Sequence, residues 1–350
     1  MMFNKIEVYY FRGIKSAVID NLGQVNLFWG KNNCGKSSLL DAIFLVSGMS
    51  NPLLPLTINQ MRQYGNVSPD GLKVNFYGFD TQTPIRIVAT DGEVRELTIE
   101  AAEIGAAEIS TSGSGDGSSL SSSVPTSYGL RLHYSRNGGQ HESSLFFDPS
   151  KGTDTAKQTI DSTYEERLKC FYLSPKYDFL ASIQGLTNIL QNKDEQFIID
   201  GLRLIEPRVR DFTFTGGEML VDVGASKRLP INVMGDGARK IVSLLTAIYD
   251  CPNGLLLVDE LSNGFHYSVM PSLWKVVAYA ARRNNTQVFA TTHDIDSMKG
   301  LRTMALTEPE GNGLAISAYK LQRNIDDVLT SYRYSVESMD YAFEQEMEIR

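Results

Sequence analysis

The stretch Gly30-Lys31-Asn32-Asn33-Cys34-Gly35-Lys36-Ser37 decides the fold. It is a glycine, four further residues and then glycine, lysine and serine, which is the spacing of a phosphate-binding loop. The apolar run Val25–Trp29 before it predicts a strand, and Ser38–Leu45 after it has apolar residues at helical spacing. Such a turn directs backbone N–H groups and the positive end of the helix toward phosphate. The stretch therefore predicts a P-loop, with a chance glycine-rich turn as the alternative.

Side chains at the end of this loop have the reach to contact a nucleotide and its metal. Lys36 is expected to bind the β- and γ-phosphates, and the Ser37 hydroxyl to ligate Mg²⁺. Ser38, which opens the helix, completes the predicted nucleotide-binding stretch. ATP and Mg²⁺ are therefore the predicted cofactors.

A second apolar run, Leu255–Val258, ends in two acids, Asp259 and Glu260. In open α/β sheets, ligands bind at the carboxyl ends of the strands. We predict that Asp259 shares the Mg²⁺ with Ser37, and that Glu260 orients and polarises the attacking water. The alternative is a strand that ends in a solvated acidic turn.

A third apolar strand, within Val288–Thr292, ends at His293. An imidazole at that sheet edge can hydrogen-bond the γ-phosphate or the attacking water. His293 joins Glu260 as a predicted catalytic residue, although a lone histidine also occurs in structural or exposed roles.

The arrangement of these segments predicts an α/β fold. Apolar strands joined by helices indicate a mostly parallel sheet flanked by helices. Short alternating runs such as Leu72–Phe76 and Ile85–Val88 predict an antiparallel β region inserted after the P-loop helix. The chain is predicted to be one unit, with a nucleotide-binding core at 1–50 and 230–325, the inserted β region at 66–150 and a helical region at 164–215, where 179–191 and 194–204 have helical periodicity.

Residues 110–127 are rich in Ser and Gly and predict a flexible surface loop with too little apolar area to order itself. A tolerated insertion and a partner-binding loop are both open interpretations.

Composition limits the class of protein. The 350 residues are 42% hydrophobic and 21% charged, as in an ordinary globular protein. No apolar stretch approaches the roughly 20 residues needed to span a bilayer, and no secretory signal is apparent, so we expect a cytoplasmic protein that makes no membrane contact.

The three cysteines lack metal-ligand spacing. A net charge of -8 disfavours binding nucleic acid by global electrostatics alone.

The order of P-loop, Val-Asp-Glu strand and Thr-Thr-His strand resembles the ABC-type ATPase heads, and most of all the RecF, SMC and OLD (overcoming lysogenization defect) group of prokaryotic ATPases. Phe11-Arg12-Gly13-Ile14, the stretch from Asn26 to Ala42 and the stretch from Asp259 to Ser268 carry this resemblance.

The resemblance implies that two protomers sandwich two nucleotides, with a signature segment of each capping the γ-phosphate held by the other. Gly235, Asp236 and Gly237 occupy the matching place, although they depart from the usual Ser-Gly-Gly pattern and a plain helix-initiating turn is the alternative. Arg12 resembles the family arginine near the phosphates. Asn263–His266 matches the loop that communicates across the dimer. For both, a surface or core role is the alternative.

Two further features stay open. The family's glutamine loop is not clear, and Leu173–Lys176 or Gln184 are possible substitutes. Two basic clusters could face DNA, although such clusters are usually solvated; they are Arg203 with Arg208 and Arg210, and Arg282 with Arg283.

The predicted function is an ATPase switch whose nucleotide state controls dimerisation and the engagement of DNA or an effector protein. OLD members carry a Toprim nuclease after the head, and this chain has no room for one. A separately encoded Toprim-like nuclease in bacterial anti-phage defence is therefore the leading hypothesis. The alternatives are a RecF-like repair protein that binds DNA in an ATP-dependent way, and an ATP-dependent scaffold with slow hydrolysis.

Overall fold

A computed structural model describes residues 2–64, 69–104, 127–147, 156–175, 181–307, 314–335, 337–339 and 341. Its strands are β1 (Lys5–Phe11), β2 (Ile14–Ile19), β3 (Val25–Trp29), β4 (Ile85–Thr90), β5 (Val94–Ile104), β6 (Ser127–Arg136), β7 (Gly139–Phe147), β8 (Ala156–Thr159), β9 (Cys170–Leu173), β10 (Asp211–Thr215), β11 (Glu218–Asp222), β12 (Leu229–Pro230), β13 (Leu255–Val258), β14 (Gln287–Thr292), β15 (Ile316–Arg323) and β16 (Val328–Tyr334). Its α-helices are α1 (Lys36–Ser47), α2 (Leu54–Met61), α3 (Pro69–Lys73), α4 (Ala181–Gln191), α5 (Glu195–Arg203), α6 (Asp236–Tyr249), α7 (Met270–Asn284) and α8 (Ile295–Thr307).

A 13-stranded mixed sheet forms the centre of the molecule, in the order β8-β7-β6-β5-β4-β1-β2-β16-β15-β3-β14-β13-β9. The strands from β15 to β9 in this order are mutually parallel. Every residue of β3, β13 and β14 is buried, as expected for parallel strands covered on both faces. The predicted α/β fold is confirmed.

Helices cover the parallel strands on both faces, because alternate residues of each strand point to opposite sides. Leu27 and Trp29 of β3 belong to a core cluster that includes α6 and α7, whereas Phe28 belongs to a second cluster with Leu39 and Leu40 of α1. The P-loop helix thus lies on one face and the helices after Gly235 on the other.

The antiparallel strands extend the same sheet rather than forming a separate layer. β2 pairs parallel to β16 and antiparallel to β1, and β4 to β8 follow in antiparallel succession. The predicted loop at 110–127 lies outside the described residues except for Ser127, which begins β6. The proposed domain boundaries stay a prediction.

The predicted strand at Leu72–Phe76 is wrong. This segment contains the end of α3, and Phe76 contributes only an isolated bridge to Phe11. Leu72 and Phe76 are both buried and lie four residues apart, a spacing that fits a helical turn as well as an alternating strand.

The predicted helical region at 164–215 is correct for α4 and α5 but incomplete. Residues Cys170–Leu173 form β9, which pairs parallel to β13, and β10 begins at Asp211 in a separate sheet with β11 and β12. Four residues are too few for periodicity to reveal β9, and its partner lies far along the chain. Among the described residues, no helix has both the length and the apolar character needed to cross a membrane.

Candidate nucleotide site

The P-loop connects β3 to α1 through backbone conformations that favour glycine. Gly30 and Gly35 have φ of 153° and 107°, in the left-handed half of conformational space. A Cβ on Gly30 would lie 2.5 Å from the carbonyl oxygen of Leu321 on β15. Gly30 is therefore required both by its dihedral angle and by the close approach of the neighbouring strand.

Lys36, the first residue of α1, is 5% exposed. Its Nζ donates hydrogen bonds to the carbonyl oxygens of Gly30 at 2.9 Å and Lys31 at 3.0 Å. Within the described part of the chain, no carboxylate oxygen lies within ion-pair distance of this ammonium group. A buried cation without a counter-charge is costly, so its surroundings fit a ligand that supplies negative charge.

A cavity of about 650 Å³ opens beside the loop. Residues 30–34 form one wall, His293 and Ile295 a second, and Lys320 to Arg323 of β15 a third. Ligand pockets commonly measure about 300 to 1,000 Å³. The cavity therefore has room for a mononucleotide alongside the P-loop.

Ser37 and Asp259 meet at the other side of the loop, as predicted. The Ser37 hydroxyl donates to Oδ1 of Asp259 at 3.1 Å, and the Thr291 hydroxyl donates to the same oxygen at 2.6 Å. A hydroxyl beside a carboxylate is an oxygen donor set that fits a hard divalent cation such as Mg²⁺. Thr291, which sequence reasoning did not select, fixes the orientation of this carboxylate.

Glu260 and His293 also come together. Nδ1 of His293 lies 2.7 Å from Oε2 of Glu260, and the Glu260 N–H donates to the Thr291 hydroxyl at 2.8 Å. Glu260 has a left-handed φ of 56°, a conformation that costs a non-glycine residue roughly 1 to 3 kcal/mol and clusters at functional sites. The turn after β13 and the end of β14 hold the glutamate in this conformation.

Arg12 lies in a buried polar cluster next to the P-loop helix. It forms an ion pair with Asp41 of α1, and its Nη2 donates to Oδ1 of Asn59 at 2.8 Å. Its Nε is buried and has no partner among the described residues. Burial lowers the pKa of Arg12, although the charge of Asp41 opposes that shift. Arg12 thus lies beside α1, and its place close to the phosphates stays a prediction.

Sequence reasoning missed Asp41, Arg62 and Tyr172, which complete the cluster. Arg62 pairs with Asp41 at 2.8 Å and with Asp259 at 2.5 Å, and Tyr172 donates to Asp41 at 2.9 Å. Burial raises the pKa of the Tyr172 hydroxyl well above its ordinary value. Asp41 lies one helical turn after the P-loop, so its place beside the site could have been predicted. The sequence around Arg62 has no feature that predicts its contact with Asp259.

The structure keeps the signature segment apart from the P-loop cavity. Gly235 has a φ of 93° and caps α6, as the predicted glycine turn requires. It is exposed, and its neighbour Asp236 pairs with Arg239 at 2.6 Å. Gly237 instead lines a different cavity, of about 440 Å³, with Phe265 and His266. One chain therefore does not bring this segment to its own P-loop.

Asn263–His266 is in direct contact with the signature helix. The Lys240 ammonium of α6 donates to the Asn263 carbonyl oxygen and lies 5.8 Å from the centre of the Phe265 ring. Burial lowers the pKa of Lys240. The loop after Glu260 is therefore in direct contact with α6 through this lysine.

The two candidate substitutes for the glutamine loop lie in different places in the structure. Leu173, Ser174 and Pro175 line a small space of about 50 Å³ with Asp259 and Glu260. Lys176 lies outside the described residues. Gln184 is exposed on α4, donates to Asn188 at 3.3 Å and does not line that space.

The predicted basic clusters are engaged in contacts within the chain. Arg208 pairs with Glu206, and Arg283 pairs with Asp194. Arg203 donates to the Val209 carbonyl oxygen at 2.7 Å. Paired charges attract a polyanion less strongly than a bare basic patch, so these clusters give little support to a DNA-facing surface.

A P-loop on β3, an acidic pair after β13 and a histidine after β14 define the ABC-type P-loop ATPases. Residues 25–297 match the family model described as "AAA domain, putative AbiEii toxin, Type IV TA system". The chain belongs to this family, and its fold is that of the ATPase heads of the RecF and SMC group.

Curated proteins and solved structures agree with this assignment. The chain is 25% identical over 378 residues to an "ATP/GTP phosphatase" of Helicobacter pylori, an alignment that covers 99% of both proteins. It is 12% identical to an SmcHead solved with the C-winged helix domain of ScpA, with a TM-score of 0.51 and coverage of 97% of this chain and 100% of that one. These similarities support nucleotide hydrolysis in general.

Proposed function

We propose that this protein is an ATP-hydrolysing switch whose nucleotide state controls its dimerisation. The supporting observation is that Gly235 and Asp236 lie exposed, that Gly237 is half-buried, and that all three lie outside the cavity beside Gly30. A site that needs these groups over the γ-phosphate must receive them from a second copy of the chain. ATP bound at each P-loop then closes the dimer, and hydrolysis reopens it.

Each half of the site has its own task in this proposal. Lys36 and the backbone of the loop bind the phosphates, with Arg12 close by, and Ser37 with Asp259 holds Mg²⁺. The metal, when bound, neutralises charge that develops on the phosphates. Glu260 accepts a proton from the attacking water, and His293 orients that carboxylate at the 2.7 Å separation seen between the two side chains.

A separately encoded effector is the proposed output of the switch. The family description includes a toxin of a toxin–antitoxin system, and the SMC head was solved with a protein partner. The second precedent supports a protein partner as the direct target. Anti-phage defence with a Toprim-like nuclease is the specific form that we propose. A RecF-like DNA-binding role is the alternative, but the contacts of Arg208 and Arg283 within the chain disfavour it.

Glu260→Gln tests the switch. The amide keeps the size of the side chain but cannot accept a proton, so hydrolysis should fall by about a hundredfold or more while ATP stays bound. Light scattering with and without ATP should then show an ATP-dependent dimer.

Glu165→Gln is the matched control, because Glu165 is 74% exposed and pairs only with nearby Arg167 among the described residues. It should hydrolyse ATP normally and show no trapped dimer. Normal hydrolysis in Glu260→Gln would remove Glu260 from catalysis. Loss of hydrolysis without any change in assembly would leave the ATPase in place and reject the dimer switch.

A further inference from the structure

The side chain of Arg62 lies where the proposed metal would be held. Arg62 follows the last residue of α2, and its Nη1 lies 2.5 Å from Oδ2 of Asp259. Its Nη2 donates to the Ser37 carbonyl oxygen at 3.4 Å. The guanidinium thus contacts both residues of the predicted metal pair.

Asp41 secures the same guanidinium from the other side. Nη2 and Nε of Arg62 donate to its two carboxylate oxygens at 2.8 and 3.2 Å. Arg12 also pairs with Asp41, so two guanidinium groups balance two carboxylates. The side chains of Asp41 and Asp259 are each 1% exposed. A buried carboxylate needs a counter-charge, and for Asp259 that charge is Arg62.

A divalent cation on Asp259 would lie next to a buried positive charge. Like charges a few ångströms apart repel strongly in a partly buried site. The carboxylate oxygen that Arg62 occupies, Oδ2, is also the one that neither Ser37 nor Thr291 contacts. Arg62 and the metal therefore compete for Asp259.

Arg62 lies where α2 gives way to an irregular segment. It follows Met61, the last residue of α2, and the next residue, Gln63, has a left-handed φ of 58°. Tyr64 is 49% exposed. The guanidinium is 15% exposed, while the backbone that carries it lies near the surface, so a rearrangement at the helix end is the route by which we infer that it withdraws.

The geometry points to Arg62 as a built-in counter-ion that closes the metal site of the nucleotide-free protein. Arg62 must release Asp259 before the metal is held, and the segment that carries it, residues 54–64, changes position when the site fills. This inference rests on the metal assignment made in the proposed function. It adds that metal binding is opposed by a residue of the chain itself.

Mn²⁺ binding to the nucleotide-free protein, followed by electron paramagnetic resonance, tests the competition. Arg62→Gln removes the competing charge and should tighten Mn²⁺ binding about tenfold or more, which corresponds to about 1.4 kcal/mol. Arg62→Lys keeps the charge but cannot span Asp41 and Asp259 with a planar fork, so its affinity should fall between those of wild type and Arg62→Gln. Arg167→Gln, at an arginine that is 75% exposed, should match wild type.

Equal or weaker Mn²⁺ binding in folded Arg62→Gln would overturn the inference. If that variant does not fold, Arg62→Lys decides, because an affinity no higher than that of wild type has the same meaning. Asp259→Asn separates the two proposals. Mn²⁺ binding that survives Asp259→Asn would reject the metal assignment itself, whereas binding that is lost there but unchanged in Arg62→Gln rejects only the role of Arg62.

Discussion

The P-loop and the signature turn are both glycine turns at helix N-termini, yet their surroundings differ. Gly30 is fitted against β15 so closely that a Cβ would lie 2.5 Å from a carbonyl oxygen, whereas a Cβ on Gly235 would have no atom within 4 Å among the residues described. Lys36 is buried at the first turn, whereas Asp236 is exposed at the second. The first turn is completed within one chain. At the second turn, Gly235 and Asp236 are exposed and are accessible to another molecule.

Removal of the metal should have the largest effect. Ser37 and Asp259 present oxygen ligands that suit a hard cation, so EDTA should reduce phosphate release to background, and added Mg²⁺ should restore it. Asp259→Asn should behave like EDTA treatment but without recovery. Full turnover in EDTA would show that the P-loop half works without a metal.

Lys36→Ala should weaken nucleotide binding by roughly a hundredfold, because a charge-assisted hydrogen bond to phosphate contributes up to about 3 kcal/mol. Titration of a fluorescent ATP analogue measures the affinity. Lys5→Ala is the matched control, since Lys5 is 41% exposed, pairs with Glu7 and lies outside the P-loop. A folded Lys36→Ala variant with wild-type affinity would contradict the P-loop assignment.

Gly235→Ala should separate the two turns. It adds a Cβ in open space at a φ of 93° and a ψ of 168°, a region that essentially only glycine adopts, so the isolated chain should lose about 1 to 3 kcal/mol of stability but bind nucleotide normally. ATP-dependent dimerisation and turnover should fall about tenfold, a loss equivalent to about 1.4 kcal/mol, because the methyl group intrudes where the partner's phosphate belongs.

Gly138→Ala controls for the backbone cost. Gly138 also has a positive φ, of 86°, and a Cβ added there would have no atom within 4 Å among the described residues. The variant should have the same modest loss of stability and normal turnover. Equal loss of turnover in both variants would mean that Gly235 has no special role across the dimer.

Arg208→Glu should have the smallest effect. Arg208 is 73% exposed and pairs with Glu206, and an exposed ion pair contributes little to stability because water screens it. The melting temperature should change by only a few degrees, and ATP turnover should not change. Retention of gapped DNA should also equal that of wild type. Loss of an ATP-dependent DNA complex in this variant would instead favour the RecF-like alternative.

The sequence could predict what depends on neighbouring residues. The order of strand, glycine loop and helix identified Gly30 to Ser37, and apolar strands followed by polar residues identified Asp259, Glu260 and His293. The pairing of Ser37 with Asp259 then follows from parallel strands that end at one edge.

What the sequence did not predict depends on contacts between distant segments. Asp41, Arg62, Tyr172 and Asp259 belong to separate elements, and they meet only after the sheet has placed β9 beside β13. Arg62 carries no local mark, because an arginine at the end of a helix is ordinary. The segment Leu72–Phe76, which contains the end of α3, does not form the predicted strand, and its two buried apolar residues fit both periods.

The end of the hydrogen-bonded ladder between β5 and β6 is a suitable place to insert a foreign segment. Ile104 and Ser127 are partners at the end of this ladder, so the chain leaves and re-enters the sheet at adjacent points. Five strands separate β5 from β3, which carries the P-loop. The entropy cost of closing a loop rises only slowly with loop length. An inserted segment of a different length between Ile104 and Ser127 should therefore change the stability of the sheet little. A fluorescent reporter or an affinity tag inserted there would follow the protein in cells while leaving the distant catalytic edge untouched.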